Sequence, residues 1–125
     1  MSLHIVDKLI QGVCVLDLRG RITLGPETET VRTRVKQALA AGHSRIILDL
    51  GEVNYIDSAG LATLVASYTS AQRAGGELKL LRLTKLVRSL MQITRLSTVF
   101  EIYDSVDDAV RSFDRKKPAA AEGAP

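Results

Sequence analysis

The 125 residues predict one α/β domain, a mixed β-sheet with four helices packed on it. Three observations point there. After an opening pair of strand-like segments, strands and helices alternate along the chain, a pattern that builds a sheet with helices laid against it. Ile46-Ile47-Leu48 is a continuous apolar run, the mark of a strand covered on both faces. Hydrophobic residues make up 46% and charged residues 25%, the balance of a soluble globular domain rather than a disordered chain. A chain of this length buries about two-thirds of its unfolded surface and needs no covalent staple.

The elements follow in order. Residues 13–19, Val-Cys-Val-Leu-Asp-Leu-Arg, are β-branched and apolar between Gly12 and Gly20 and read as a strand. Leu3 to Leu9 is a weaker strand, and Gln11-Gly12 between the two suggests a tight turn and an antiparallel pair. Ile22 and Leu24 either extend the second strand or follow it irregularly up to Gly25-Pro26. Glu27 to Ala41 is the first helix. Pro26 suits its first turn, Glu27 and Glu29 suit its dipole, and Thr28, Val31, Val35, Ala38 and Leu39 share one stripe. Gly42 stops it.

Arg45 to Leu50 is the next strand. Ala59 to Ala74 is the second helix, buried through Leu61, Leu64, Val65 and Tyr68 and ended by Gly75-Gly76. Glu77 to Leu83 reads as a strand with Leu78, Leu80 and Leu81 apolar. Lys85 to Thr94 is a third helix. Leu86, Leu90 and Ile93 lie on one side and Val87 and Met91 on an adjoining one; a wide apolar stripe of this kind reads first as all core, and second as Leu86, Leu90 and Ile93 facing the sheet with Val87 and Met91 open to solvent or a neighbour. Val99 to Tyr103 is a short last strand, and Ser105 caps a final helix to about Phe113, with Asp107 and Asp108 in its first turn. Residues 1–114 form the domain. Residues 115–125, small and Pro-flanked after Arg115-Lys116-Lys117, read as a flexible tail.

Composition narrows the function classes. The net charge is +3, and setting aside residues 115–125 lowers it to +1, so the basic pI of about 9.2 reflects mainly the tail. A nearly neutral body with 4% aromatics and no Trp lacks the clustered basic footprint and stacking rings of a nucleic-acid binder. No apolar run approaches the roughly 20 residues that span a bilayer, and no segment resembles an export leader. The single Cys14 excludes an internal disulfide and a multi-cysteine zinc site, which fits a reducing cytoplasmic setting. No Gly-rich phosphate loop follows a strand. His4 and His43 have no Cys or carboxylate at metal-ligand spacing and read as solvated. Cys14 reads as inert core. No metal, cofactor or catalytic constellation is expected, so the chain reads as a binding module and not an enzyme.

The informative segment is Asn54-Tyr55-Ile56-Asp57-Ser58-Ala59-Gly60-Leu61. It follows the most buried strand and opens a helix. Read structurally, Ser58 or Asp57 is an N-cap, and Ala59-Gly60 allows close packing. Read functionally, a helix N-terminus exposes unpaired N–H groups and a partial positive charge, so it tolerates a phosphate on Ser58. A partner docked over that helix end would meet a bulky dianion.

Asp57-Ser58-Ala59-Gly60-Leu61 after Ile46-Ile47-Leu48-Asp49-Leu50 resembles the signature of STAS domains, the bacterial anti-sigma factor antagonists and their relatives. The resemblance covers about residues 3–113. It includes Leu18-Arg19-Gly20-Arg21-Ile22, Gly75-Gly76 before a strand, and Leu96-Ser97-Thr98-Val99-Phe100. It implies a partner switch. An anti-sigma factor that is also a serine kinase phosphorylates this motif's serine, here Ser58; the unphosphorylated antagonist binds that factor and frees the sigma factor; a phosphoserine phosphatase resets the cycle. Asp57, Ala59 and Gly60 would form the immediate setting of Ser58. Sporulation-type members carry an acidic residue in the loop after the early glycine, where this chain has Thr23; the resemblance then makes Thr23 a polar partner contact. The family also includes scaffolds of signalling assemblies and soluble subunits of transporters, the alternative reading.

Overall fold

The computed structural model describes residues 3–114. The chain opens with β1 (Leu3–Ile10) and β2 (Val13–Ile22), followed by α1 (Pro26–Ala40), β3 (Arg45–Ile56) and α2 (Ser58–Arg73). β4 (Glu77–Leu81), α3 (Lys85–Ile93), a 3-10 turn at Leu96–Thr98, β5 (Ile102–Tyr103) and α4 (Val106–Ser112) complete it. The five strands form one sheet in sequence order, β1 antiparallel to β2 and the rest parallel. Gln11 and Gly12 both take positive φ (51° and 82°), as the expected tight hairpin turn requires.

The apolar run in β3 is explained by its two faces. Ile46, Leu48 and Leu50 pack with Val31 and Val35 of α1, Leu61 and Leu64 of α2, and Val87 and Met91 of α3. Ile47 points the other way, into a smaller cluster with Val13, Val15, Leu81, α4's Ala109 and Val110, and Phe113 just after α4. The mixed sheet with four helices is thus present, with α4 alone on the second face. Lys79 is also buried on that face. Its Nζ donates to Ser112 Oγ at 2.8 Å, pairs with Glu101 Oε1 at 3.2 Å and lies 4.3 Å from the Phe113 ring centroid, so the buried charge is fully partnered.

Several expectations need correction. On α3 neither an all-core stripe nor an inward Leu86, Leu90 and Ile93 is found. Val87 and Met91 are sealed in the core, while Leu86 and Ile93 are exposed and Leu90 is half-buried. β3 runs on to Ile56 instead of ending at Leu50, because it keeps pairing with β2 through two register shifts as far as Ile22↔Ile56. β4 stops at Leu81 rather than Leu83, since Arg82 takes φ 55° and breaks the strand. The last strand is only Ile102–Tyr103. Arg95 at φ 64° starts a 3-10 turn, and Phe100 N–H donates back to the Leu96 carbonyl, which withdraws Val99 and Phe100 from the sheet. The expected tail at 115–125 lies outside the described residues.

Candidate functional site

The site forms where β3 hands over to α2. β3 is buried at Val53 and Ile56, and the chain then leaves the sheet at Asp57 in extended conformation (φ −104°, ψ −175°). Asp57, not Ser58, is the N-cap. Its carboxylate is shared between two segments: Oδ1 accepts from Gly60 N–H at 2.8 Å and Oδ2 accepts from Leu24 N–H at 3.0 Å. One side chain therefore satisfies a first-turn donor of α2 and ties the β2–α1 loop to the helix start. The Leu24 N–H, followed by the Gly60 N–H, holds the Asp57 carboxyl below its ordinary range, so it is ionised at neutral pH.

Ser58 is the first helical residue and is exposed. Ala59 is half-buried and Gly60 is buried. A Cβ at Gly60 would strike the Ile22 carbonyl oxygen and come within 2.6 Å of Ile56 Cγ1. Glycine lets α2 begin in direct contact with the end of β2, which fixes the height at which Ser58 stands above the sheet.

Thr23 sits within the same corner. Asp57 N–H reaches the Ile22 carbonyl at 3.4 Å and Asp57 Oδ2 holds Leu24 N–H, so Thr23 is clasped from both sides and is half-buried. The structure thus brings Thr23, Asp57, Ser58, Ala59 and Gly60 into one corner at the carboxyl ends of β2 and β3. Two further residues there were not among the contacts expected from the sequence. Leu24, 76% exposed, does not extend β2 but projects from the loop, and Tyr55 is 43% exposed with the Arg21 guanidinium 5.1 Å from its ring centroid. The available signal was a large apolar side chain immediately before Gly25-Pro26, where the strand has already ended.

Elsewhere, Cys14 is buried, and burial, then the Asp7 charge, pushes its thiol up from the ordinary value. It lies on a cavity of about 370 Å³ between the β1–β2 hairpin and the last turns of α1, beside Arg34 and a half-buried His43. His4 is exposed. Among the described residues, no three His, Cys, Asp or Glu side chains converge as a metal set would, and no helix is long and apolar enough to cross a membrane.

A five-stranded mixed sheet with three helices on one face, and an exposed serine opening a glycine-packed helix at its carboxyl edge, define a domain of the STAS class. Comparison with known proteins places the chain there: the STAS domain family model matches residues 4–109, and the chain belongs to that family. It is 28% identical over 113 residues to BtrV of Bordetella bronchiseptica, covering 90% of this chain and 96% of BtrV. It is 24% identical over 115 residues to the anti-sigma F factor antagonist of Paenibacillus polymyxa, covering 91% and 97%. Among solved structures, the phosphorylated form of the Bacillus cell fate determinant SpoIIAA superimposes with a TM-score of 0.68 at 17% identity, covering 90% of this chain and 99% of that one.

Proposed function

We propose that this protein is an anti-sigma factor antagonist whose partner is an anti-sigma factor with serine kinase activity, and that phosphorylation of Ser58 switches the complex off. The carrying observation is the exposed Ser58 at the first turn of α2, beside the projecting Leu24. The unphosphorylated corner offers the partner a firm apolar contact at Leu24 and Tyr55 around a small hydroxyl. The kinase transfers the terminal phosphoryl group of ATP to Ser58 Oγ; ADP leaves, and the hydroxyl proton passes to a base on the kinase. The new dianion is accommodated by the donors and partial positive charge at the start of α2, so the domain keeps its shape. The docked partner loses a few kcal/mol of contact, which is two or more powers of ten in affinity. A phosphoserine phosphatase restores the hydroxyl. Thr23 contributes a polar contact at the rim of this surface, and the cycle runs in the cytoplasm. The name of the Paenibacillus relative and the existence of a phosphorylated SpoIIAA of like fold support this reading.

The test is incubation with the host's anti-sigma factor kinase and Mg-ATP. Intact mass should rise by one phosphate, and Ser58→Ala should abolish the increase. Ser58→Asp should weaken binding to that factor by about a hundredfold. An unchanged mass in the presence of a kinase active on a control substrate, or an unaffected affinity, would overturn the proposal.

A further inference from the structure

α1 and α2 pack side by side, and a cleft of about 160 Å³ opens between their middle turns. Arg32, Val35 and Lys36, at i, i+3 and i+4, line it from α1. Ala66, Ser67 and Ser70 line it from α2. The cleft thus has two cations on one wall and two hydroxyl-bearing residues on the other. No carboxylate lines it, and α2 carries no Asp or Glu anywhere from Ser58 to Arg73. Arg32 and Lys36 have no ion-pair partner among the described residues, whereas Arg34, between them in sequence, is paired with Asp7 at 3.2 Å. Two positive charges therefore stand at the cleft with nothing to offset them.

Ser67 supplies an independent observation. It is 3% exposed, and its hydroxyl is buried with no hydrogen-bond partner among the described residues. Buried hydroxyls are normally satisfied. The usual remedy is in use one turn earlier, where the buried Thr63 hydroxyl donates to the Ala59 carbonyl at 2.9 Å. Ser67 makes no such bond. A donor left unused beside two unpaired cations is where an acceptor carrying negative charge gains most, since a hydrogen bond to a charged group is worth more than a neutral one.

Size narrows the acceptor. At about 30 Å³ per water, the cleft has room for about five waters, enough for a tetrahedral oxyanion but not for a nucleoside or an acyl chain. We propose that the cleft between α1 and α2 binds a phosphate-class dianion, either inorganic phosphate or the phosphoryl end of a small monoester. Arg32 and Lys36 balance its charge, and the hydroxyls of Ser67 and Ser70 donate to its oxygens. Ser67 stands nine residues along α2 from Ser58, about 14 Å at 1.5 Å per residue, so the site is separate from the switch proposed there and does not depend on it.

The experiment is proton–nitrogen NMR of the full chain, titrated at constant ionic strength with phosphate, methyl phosphate, acetate or chloride, at about pH 7.5 where the phosphates are mainly dianions. Amide shifts at residues 32–36 and 66–70 should saturate at millimolar phosphate, and acetate should bind at least about tenfold more weakly. Arg32→Gln with Lys36→Gln, both exposed positions, should abolish saturation while circular dichroism stays unchanged. Ser67→Ala should weaken binding about three- to tenfold. It should leave the urea midpoint unchanged or higher, because the hydroxyl it removes has no bond to lose in the protein. Methyl phosphate binding as tightly as phosphate assigns the site to monoesters, and phosphate binding alone assigns it to the free ion; either supports the proposal. Shifts that rise linearly in step with chloride, or that persist in the Arg32 and Lys36 double variant, mean an adventitious ion only and overturn it. Saturation centred on residues 58–61 would put the anion at the start of α2 and overturn it as well.

Discussion

Two helices start at the same edge of the sheet and are built in opposite ways. α1 begins at Gly25 with φ 119°, has no side-chain cap, takes Pro26 in its first turn and carries Glu27 and Glu29 there. α2 begins at Asp57, which caps it with a carboxylate, and has no acidic residue in its first turn. The first start is already complemented by its own carboxylates. A phosphate on Thr28 or Thr30 would sit among them, and Thr28 is in any case buried with its hydroxyl donated to the Gly25 carbonyl. The second start spends its one carboxylate, Asp57, on the Gly60 and Leu24 N–H groups, and places an exposed hydroxyl in a first turn that has no acidic residue of its own. What suits α2 to a charge switch is therefore partly an absence, the lack of Glu or Asp among Ser58, Ala59 and Gly60.

The sharpest way to break this comparison is at the two glycines. Gly60→Ala forces a methyl group into the Ile22 carbonyl and should cost about 3 kcal/mol or more, because the obstacle is backbone and cannot yield cheaply. Gly25→Ala meets open space and should cost less, about 1–2 kcal/mol, from the backbone conformation alone. Urea unfolding measures both, and equal losses would show that α2 is not held against β2 as described. Ser58→Asp should change stability by only a few tenths of a kcal/mol, in the stabilising direction, whereas Thr30→Asp in α1 should be neutral or slightly destabilising beside Glu27 and Glu29. Matching thermal melts of these two would erase the distinction. The smallest effect lies in acid. The carboxyl of Asp57 is lowered in the folded chain, so its contribution is present above the ordinary carboxylate range and is lost as pH falls below it. Melting followed from pH 5 downward should decline less steeply in Asp57→Asn than in the parent, and parallel curves would show that the carboxylate is not held by Leu24 and Gly60.

The sheet, the helices and the position of Ser58 were legible because each rests on local signals: alternation, glycine stops, and a capping residue before an apolar stripe. The inward face of α3 was not. Leu86, Leu90 and Ile93 have the same period as Val87 and Met91, and periodicity cannot tell which of two adjacent apolar stripes turns inward. That is settled only by the tertiary packing, in which Thr84 is bonded to Val53 at the helix start and Val87 and Met91 join the core. The length of β3 was hidden because Glu52, Asn54 and Tyr55 read as a polar loop, while the parallel ladder to β2 carries them as a strand. The burial of Lys79 was equally out of reach, since it depends on Ser112 and Phe113 arriving from α4, more than thirty residues later. At the site, Asp57, Ser58 and Gly60 could be named from spacing. Leu24 could not, because its place beside them is made by a bond to a residue 33 positions away.

The ion pair between Arg45 and Asp114, at 2.8 Å, holds the residues after α4 against the start of β3. Arg45 begins β3 and Ile56 ends it, 12 residues with two register shifts, so at about 3.3 Å per regularly paired residue the two lie roughly 30 Å apart. A fluorophore, affinity handle or fused domain attached after Asp114 is thereby tethered at the pole opposite Ser58, and can report on binding at that corner without standing in its way.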